Sequence, residues 1–188
     1  MKFKLINLFG IIAICIQPLL SDVFNKMNPD QICVAYKTTK GMFFLSEVEV
    51  VGINCNAQFK KSNTSTHVII PVEKFDSSNS KRDSEVALIL GGSKKMPLRF
   101  EFLIPKNSKQ DTIPATISGK LFIKDSPKDI TLNLSQEQGK IRFSVQTKFS
   151  TLGIKVESVG PGGLIAEPKD ELTLYGQISS KIIFEREN

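Results

Sequence analysis

Residues 117–145 read ISGKLFIKDSPKDITLNLSQEQGKIRFSV. In this stretch Ile117, Gly119, Leu121 and Ile123 alternate with Ser118, Lys120 and Lys124, and only Phe122 breaks the polar side. Ile130, Leu132 and Leu134 alternate with Thr131 and Asn133. Ile141, Phe143, Val145 and, just beyond, Phe149 alternate with Arg142, Ser144, Gln146 and Lys148. A period of two is the strand period, because successive side chains leave a pleated backbone on opposite faces. The stretch therefore predicts three strands, each with one apolar face. Gln136-Glu137-Gln138-Gly139 joins two of them and reads as a hairpin turn, and Asp125-Ser126-Pro127 as another turn.

The same pattern extends in both directions. Residues 32–37, 47–59 (with a central Gly52), 66–75, 98–102 and 171–185 are β-rich, which brings the expectation to about eight strands. One short helix is expected from a cap at Asp83 or Ser84 through Leu90, ended by Gly91-Gly92. Lys106–Asp111 reads as a turn, and Pro161-Gly162-Gly163 marks a longer loop without the lysine and helix of a phosphate-binding loop. No repeat or low-complexity linker divides the chain. Antiparallel strands with one apolar face bury it by closing into a barrel or stacking as a sandwich. At eight strands a barrel interior is either filled by side chains or holds one small ligand.

Composition narrows the function. The chain has 188 residues and a formal charge of +6; its 25 basic residues include only four arginines, Arg82, Arg99, Arg142 and Arg186. A scattered lysine excess argues against nucleic-acid binding, where arginine is the usual reader of phosphate and guanine. One histidine, His67, and no tryptophan exclude a histidine metal cluster built from one chain, and no metal or cofactor is expected. His67 reads as structural or exposed. No set of nucleophile, base and orienting group is visible, so the chain is not read as an enzyme. Arg82 and Asp83 read first as a salt-bridged helix start and second as head-group contacts.

Lys2 and Lys4 precede an uncharged run, Leu5–Ser21, whose apolar centre Leu8–Ile16 suits a secretory signal and is too short to span a bilayer. Pro18 ends it. The expected organisation is a signal peptide over residues 1–21 and one β-barrel domain over 22–188, periplasmic or secreted, with no stable membrane span after cleavage. Asn63-Thr64-Ser65 and Asn133-Leu134-Ser135 are formal glycosylation sequons. Cleavage removes Cys15 and leaves Cys33 and Cys55 in a compartment where disulfides persist. Cys33 lies on the face opposite Ile32, Val34 and Tyr36, hence outward; Cys55 shares a face with Val51, Ile53 and Phe59, hence inward. Bridged residues must share a face, so a bridge needs a bulge near Gly52, and two unbridged thiols are expected.

Several stretches, in order, resemble the YceI-like family of exported proteins. These are residues 70–83 (IPVEKFDSSNSKRD), 96–100 (MPLRF), 119–123 (GKLFI) with 130–132 (ITL), and 149–154 (FSTLGI). The resemblance runs over roughly residues 28–184. It implies an all-β, antiparallel, eight-stranded lipocalin-like barrel that binds an isoprenoid or other lipid in the periplasm without chemistry. The chain departs from the pattern at Lys124-Asp125, where the family often has His-Gly, at Ser150, where it often has arginine, and over residues 90–95, which lack an aromatic pair. In such a barrel Phe100, Phe102, Leu121, Ile123, Leu132, Leu134, Phe143 and Val145 face inward and are the candidate ligand-lining set. Apolar walls suffice for a long tail, since burial yields about 0.8 kcal/mol per methylene. The expected function is an exported carrier or sequestering protein for a long apolar ligand. The alternative is a filled-core barrel acting through protein–protein contacts in envelope stress response; dimerisation is left open.

Overall fold

The computed structural model describes residues 21–42, 46–61, 65–103, 114–157 and 167–184. The expected signal segment before Ser21, the expected turn at Lys106–Asp111, Pro161-Gly162-Gly163 and Asn63-Thr64 of the first sequon lie outside them. Ten strands are present among the described residues: β1 (Cys33–Met42), β2 (Ser46–Asn54), β3 (Gln58–Lys61), β4 (Thr66–Ile70), β5 (Leu98–Phe102), β6 (Thr116–Ile123), β7 (Ser126–Glu137), β8 (Lys140–Thr147), β9 (Glu167–Pro168) and β10 (Leu172–Ser179). Three helices accompany them: α1 (Ser21–Asn25), α2 (Ser80–Gly91) and α3 (Ser180–Phe184).

Two tight turns organise the stretch 117–145 as expected. Lys124 and Asp125 take φ of 50° and 61° between β6 and β7, and Gln138 and Gly139 take 51° and 72° between β7 and β8. Two consecutive residues at positive φ match the right-handed twist of the strands they join. Every pairing is antiparallel, in the order β2-β1-β10-β8-β7-β6-β5-β4-β3, with β9 beside β1. The fold is thus all-β and antiparallel, but the expectation of an eight-stranded closed barrel is corrected. The β-rich run 47–59 breaks into β2 and β3, and the two become opposite edges of the sheet with no ladder between them. The result is a half-barrel. Its seam is held instead by Ile53 and Asp76, which exchange two backbone hydrogen bonds of 2.9 Å, and by the Asn54 side-chain amide, which donates to Pro71 O at 2.7 Å. That bond, with a second from Asn56 N to Asn54 Oδ1 at 2.8 Å, satisfies an otherwise costly buried amide.

The helix starts earlier than the sequence suggests. Asn79, not Asp83 or Ser84, caps α2 by accepting from Arg82 N at 3.0 Å; the end is as expected, with Gly92 at φ 68° donating to Leu88 O. Residues 66–75 and 171–185 are not strand throughout. Pro71 follows β4 directly and a single 3-10 turn, Val72–Lys74, comes next; β10 runs into α3.

Cys33 and Cys55 form a disulfide, so the expectation of unbridged thiols is also corrected. In the β1–β2 ladder Val34 pairs with Asn54 and Tyr36 with Gly52, and one further step sets Cys33 opposite Cys55. No bulge is involved. The error lay in which face of β2 is interior. Val51, Ile53 and Cys55 are apolar yet face outward, where α1 covers them: Val23 and Met27 are buried with Cys33, Ala35 and Tyr175. Phe24 packs edge-on to Tyr175 at 5.6 Å, and the Arg142 guanidinium lies 5.0 Å from the Phe24 ring centre. Gly52 serves another purpose: it leaves room for the ring of its partner Tyr36, whose hydroxyl would lie 2.6 Å from a Cβ there.

Candidate functional site

The concave face of the sheet encloses a cavity of about 1290 Å³. Strand periodicity builds its walls. On β7, Ile130 and Leu132 face it while Asp129, Thr131 and Asn133 are exposed to solvent. Phe100 of β5, Leu121 and Ile123 of β6, and Leu172 and Leu174 of β10 add aliphatic and aromatic wall by the same alternation. Among the described residues no strand closes one end, which is bordered by α2, through Val86, Ile89 and Leu90, and by the segment Leu152–Glu157. The turn that leads into that segment is held by Asp170, which accepts from Ser150 N at 2.9 Å and from Ser150 Oγ at 2.5 Å. These bonds hold the Asp170 carboxyl below the usual carboxylate range.

At the far end of the interior a second, apolar hollow of about 80 Å³ is bounded by residues including Ile32, Phe102, Leu134, Ile141 and Ile178. Val34, Phe100, Leu132 and Phe143 border both spaces and form the partition between them. The ring of Phe143 sits over Gly176, and that of Phe100 over Gly119. A Cβ at Gly176 would overlap the Phe143 ring; at Gly119 it would meet the Glu101 carbonyl oxygen first and then the Phe100 ring, at 2.8 Å, so glycine on the facing strand makes room for each ring.

Of the eight residues expected to line a ligand space, Phe100, Leu121, Ile123, Leu132 and Phe143 border the large cavity. Phe102 and Leu134 border the small hollow alone. Val145 borders neither and packs, half-buried, against the core. The sequence reading missed Tyr36, Val50, Ile70 and Phe75, together with the α2 and Leu152–Ile154 contributions. Leu172 and Leu174 carried the same alternation signal and were legible. Leu152 and Ile154 carry no period, and their place in the wall comes from the loop's path.

Tyr36 packs against Phe75 at 5.5 Å, and its hydroxyl is buried. Burial raises its pKa above the usual phenol value, against the lowering effects of the Ser77 hydroxyl and the Arg82 charge. Arg82 donates from Nε to Ser77 Oγ at 2.7 Å and from Nη2 to Ser77 O at 2.6 Å. Asp83 accepts from Ser77 N at 3.0 Å and also from its hydroxyl. The expected salt bridge at the helix start is thus replaced by a shared grip on Ser77, and Arg82 also borders the cavity. Lys40, Lys81, Lys124, Lys128 and Lys155 border it too, with Glu85 and Glu157 the acids among them.

His67 lies away from the cavity walls, cross-strand from Glu101 with Nδ1 to Oε1 at 3.4 Å, and its Nε2 is 2.8 Å from Ser65 Oγ. Among the described residues no group of three or more His, Cys, Asp or Glu side chains is placed to hold a metal, and no helix is long and apolar enough to cross a membrane.

A polyisoprenoid-binding domain from Saccharophagus degradans superposes with a TM-score of 0.57, covering 77% of this chain and 91% of that one at 9% identity. The chain has a YceI-like fold. The YCEI protein of Campylobacter jejuni matches over 65% of this chain and 78% of its own, at 17% identity and a TM-score of 0.44. Burkholderia cenocepacia BcnA matches over 77% of this chain and 94% of its own, at 16% identity and a TM-score of 0.48. No family model and no curated relative matches the chain. At 9% identity the likeness to the Saccharophagus domain speaks for the fold alone.

Proposed function

We propose that this chain is an exported binding protein that carries or sequesters a long apolar ligand, an isoprenoid or another lipid, inside the half-barrel. The observation that carries the reading is the cavity of about 1290 Å³ with aliphatic and aromatic walls. Small-molecule pockets commonly span about 300–1,000 Å³, so this one has room for a large ligand. Each methylene moved from water into such a space contributes about 0.8 kcal/mol, and a long tail accumulates affinity without a polar motif. The Saccharophagus neighbour is a polyisoprenoid-binding domain, which supports the same ligand class. The proposed ligand-lining residues are Phe100, Leu121, Ile123, Leu132 and Phe143, with Phe102 and Leu134 at the far end.

Export belongs to the proposal: residues 1–21 act as a signal peptide and 22–188 as the mature domain, in the periplasm or outside the cell. The Lys2/Lys4 start supports it, and so does a disulfide, which persists in an oxidising compartment. The test is mass spectrometry of an organic extract from the purified exported protein, with sequencing of its N-terminus. The expected result is a long-chain lipid near one per protein and a mature chain beginning at or near Asp22. Protein that carries no lipid, and takes none up when offered, rejects the carrier reading in favour of a partner protein acting through its surface.

A further inference from the structure

Resting on the carrier reading, we infer that the ligand is an amphiphile with an anionic head, bound tail-inward with its head at the lysine-bordered open end of the cavity. The apolar walls alone do not distinguish an acid from an alcohol. The rim does. Lys40, Lys81, Arg82, Lys124, Lys128 and Lys155 border the cavity against only Glu85 and Glu157. None of the five lysines forms an ion pair among the described residues; Arg82 donates to Ser77, whose hydroxyl in turn donates to the Asp83 carboxylate, so the lysines are the uncompensated charges of the rim.

Two of these cations are set by strand parity. Lys128 occupies the same face of β7 as Ile130, Leu132 and Leu134, is half-buried, and borders the cavity at the open end. Its ammonium lies against Gly153, 3.3 Å from where a Cβ would stand. Lys40 occupies the same face of β1 as Val34, Tyr36 and Thr38, at the same end, where β1 pairs with β9. Lys124 sits in the adjoining turn at φ 50°, its Cε 3.9 Å from a Cβ position at Gly92 at the end of α2. Lys81, Lys124 and Lys155 are exposed, but the half-buried Lys40 and Lys128 lack part of their hydration at the edge of the apolar space, and a ligand anion placed there supplies the missing partner. Lysines are point charges without the fixed fork of arginine, so they suit a carboxylate or a phosphate head alike.

The experiment measures dissociation constants of delipidated protein for dodecanoate, dodecyl phosphate, dodecanol and inorganic phosphate at low ionic strength. The two anionic amphiphiles are expected to bind at least roughly tenfold more tightly than dodecanol, the scale of one charge-assisted hydrogen bond. Their relative affinities identify the head, carboxylate or phosphate. The advantage shrinks in salt and in a Lys124→Gln/Lys128→Gln variant whose thermal midpoint is unchanged, with dodecanol as the charge-independent control. Equal affinity for dodecanol and the two anions overturns the head-group inference and leaves the carrier reading standing. Failure of every amphiphile to bind overturns both. Inorganic phosphate binding as tightly as dodecyl phosphate makes the rim a site for free anions and overturns the inference. So does lysine-dependent binding to anionic vesicles that bypasses the cavity, persisting in Leu132→Trp while soluble amphiphiles fail to bind.

Discussion

The ring of Phe143 lies over the backbone of Gly176, its direct cross-strand partner between β8 and β10. Tyr36 and Gly52 repeat the arrangement between β1 and β2, where they are also direct partners. A glycine opposite a large ring on a concave face leaves the ring room to lie over the facing strand. At Phe143 this produces a partition, with about 1290 Å³ open on one side and about 80 Å³ on the other.

Gly176→Ala is expected to force the Phe143 ring from its place, because the added methyl overlaps it. Overpacking of this kind costs about 1–3 kcal/mol. Equilibrium urea unfolding reads the loss, and Phe143→Leu in the same background is expected to recover part of it. A neutral Gly176→Ala would show that the ring has free space into which to turn.

Leu132→Trp and Val145→Trp are expected to behave differently. Leu132 borders both spaces, so a new indole there finds open volume and removes ligand capacity with little loss of stability. Val145 is packed against the core and borders neither space, so the same substitution overpacks and costs about 1–3 kcal/mol. Ligand retained through purification and the thermal midpoint of ligand-free protein separate the two outcomes.

The Cys33–Cys55 bridge closes a loop with a sequence separation of 22. Its removal in Cys33→Ser/Cys55→Ser is expected to cost roughly 3 kcal/mol on the loop-entropy estimate. A non-reducing peptide map of the exported protein is expected to contain the cross-linked pair. Two alkylatable thiols at 33 and 55 in denatured, unreduced protein would contradict it.

The Ser150–Asp170 anchor of the segment at the open end predicts a pH dependence. Hydrogen bonds from the Ser150 hydroxyl and amide lower the folded-state pKa of Asp170 from 3.8. A depressed carboxyl contributes its stabilisation fully above the unfolded-state pKa and loses it as the pH falls through the folded value. The anchor is therefore intact at neutral pH and releases only in acid, below the ordinary aspartate range of about 3.9. A carboxyl-carbon NMR titration of Asp170 follows it, and Ser150→Ala is expected to bring the midpoint back up.

Much of the wall was legible in the sequence, because alternation is a local property. Residues 117–145 assign side chains to faces whatever the rest of the chain does. Ile130, Leu132 and Leu134 share one side of β7, and the turns at Lys124-Asp125 and Gln138-Gly139 set its register. Parity, however, states which residues share a face and not which face is inside. Val51, Ile53 and Cys55 are apolar, and only the docking of α1 across β1, β2 and β10 made their side a second, outer core. That is why the cysteines were wrongly assigned to opposite sides of the sheet.

The hollow itself is a tertiary property. A filled interior and an empty one require the same one-sided alternation, since both are apolar from wall to wall. What separates them is volume: how far the nine-strand path curls, where β2 and β3 part, and how α2 and the Leu152–Glu157 segment frame the open end. The cationic rim is decided in the same way. Lys40, Lys81, Lys124, Lys128 and Lys155 are spread across the chain as an unremarkable lysine excess, and only strand register and helix placement gather them around one opening. The sequence determined which side chains point together, because that depends on the backbone's period. The tertiary structure decided what space they enclose and which charges surround it, because both depend on distances between residues far apart in the chain.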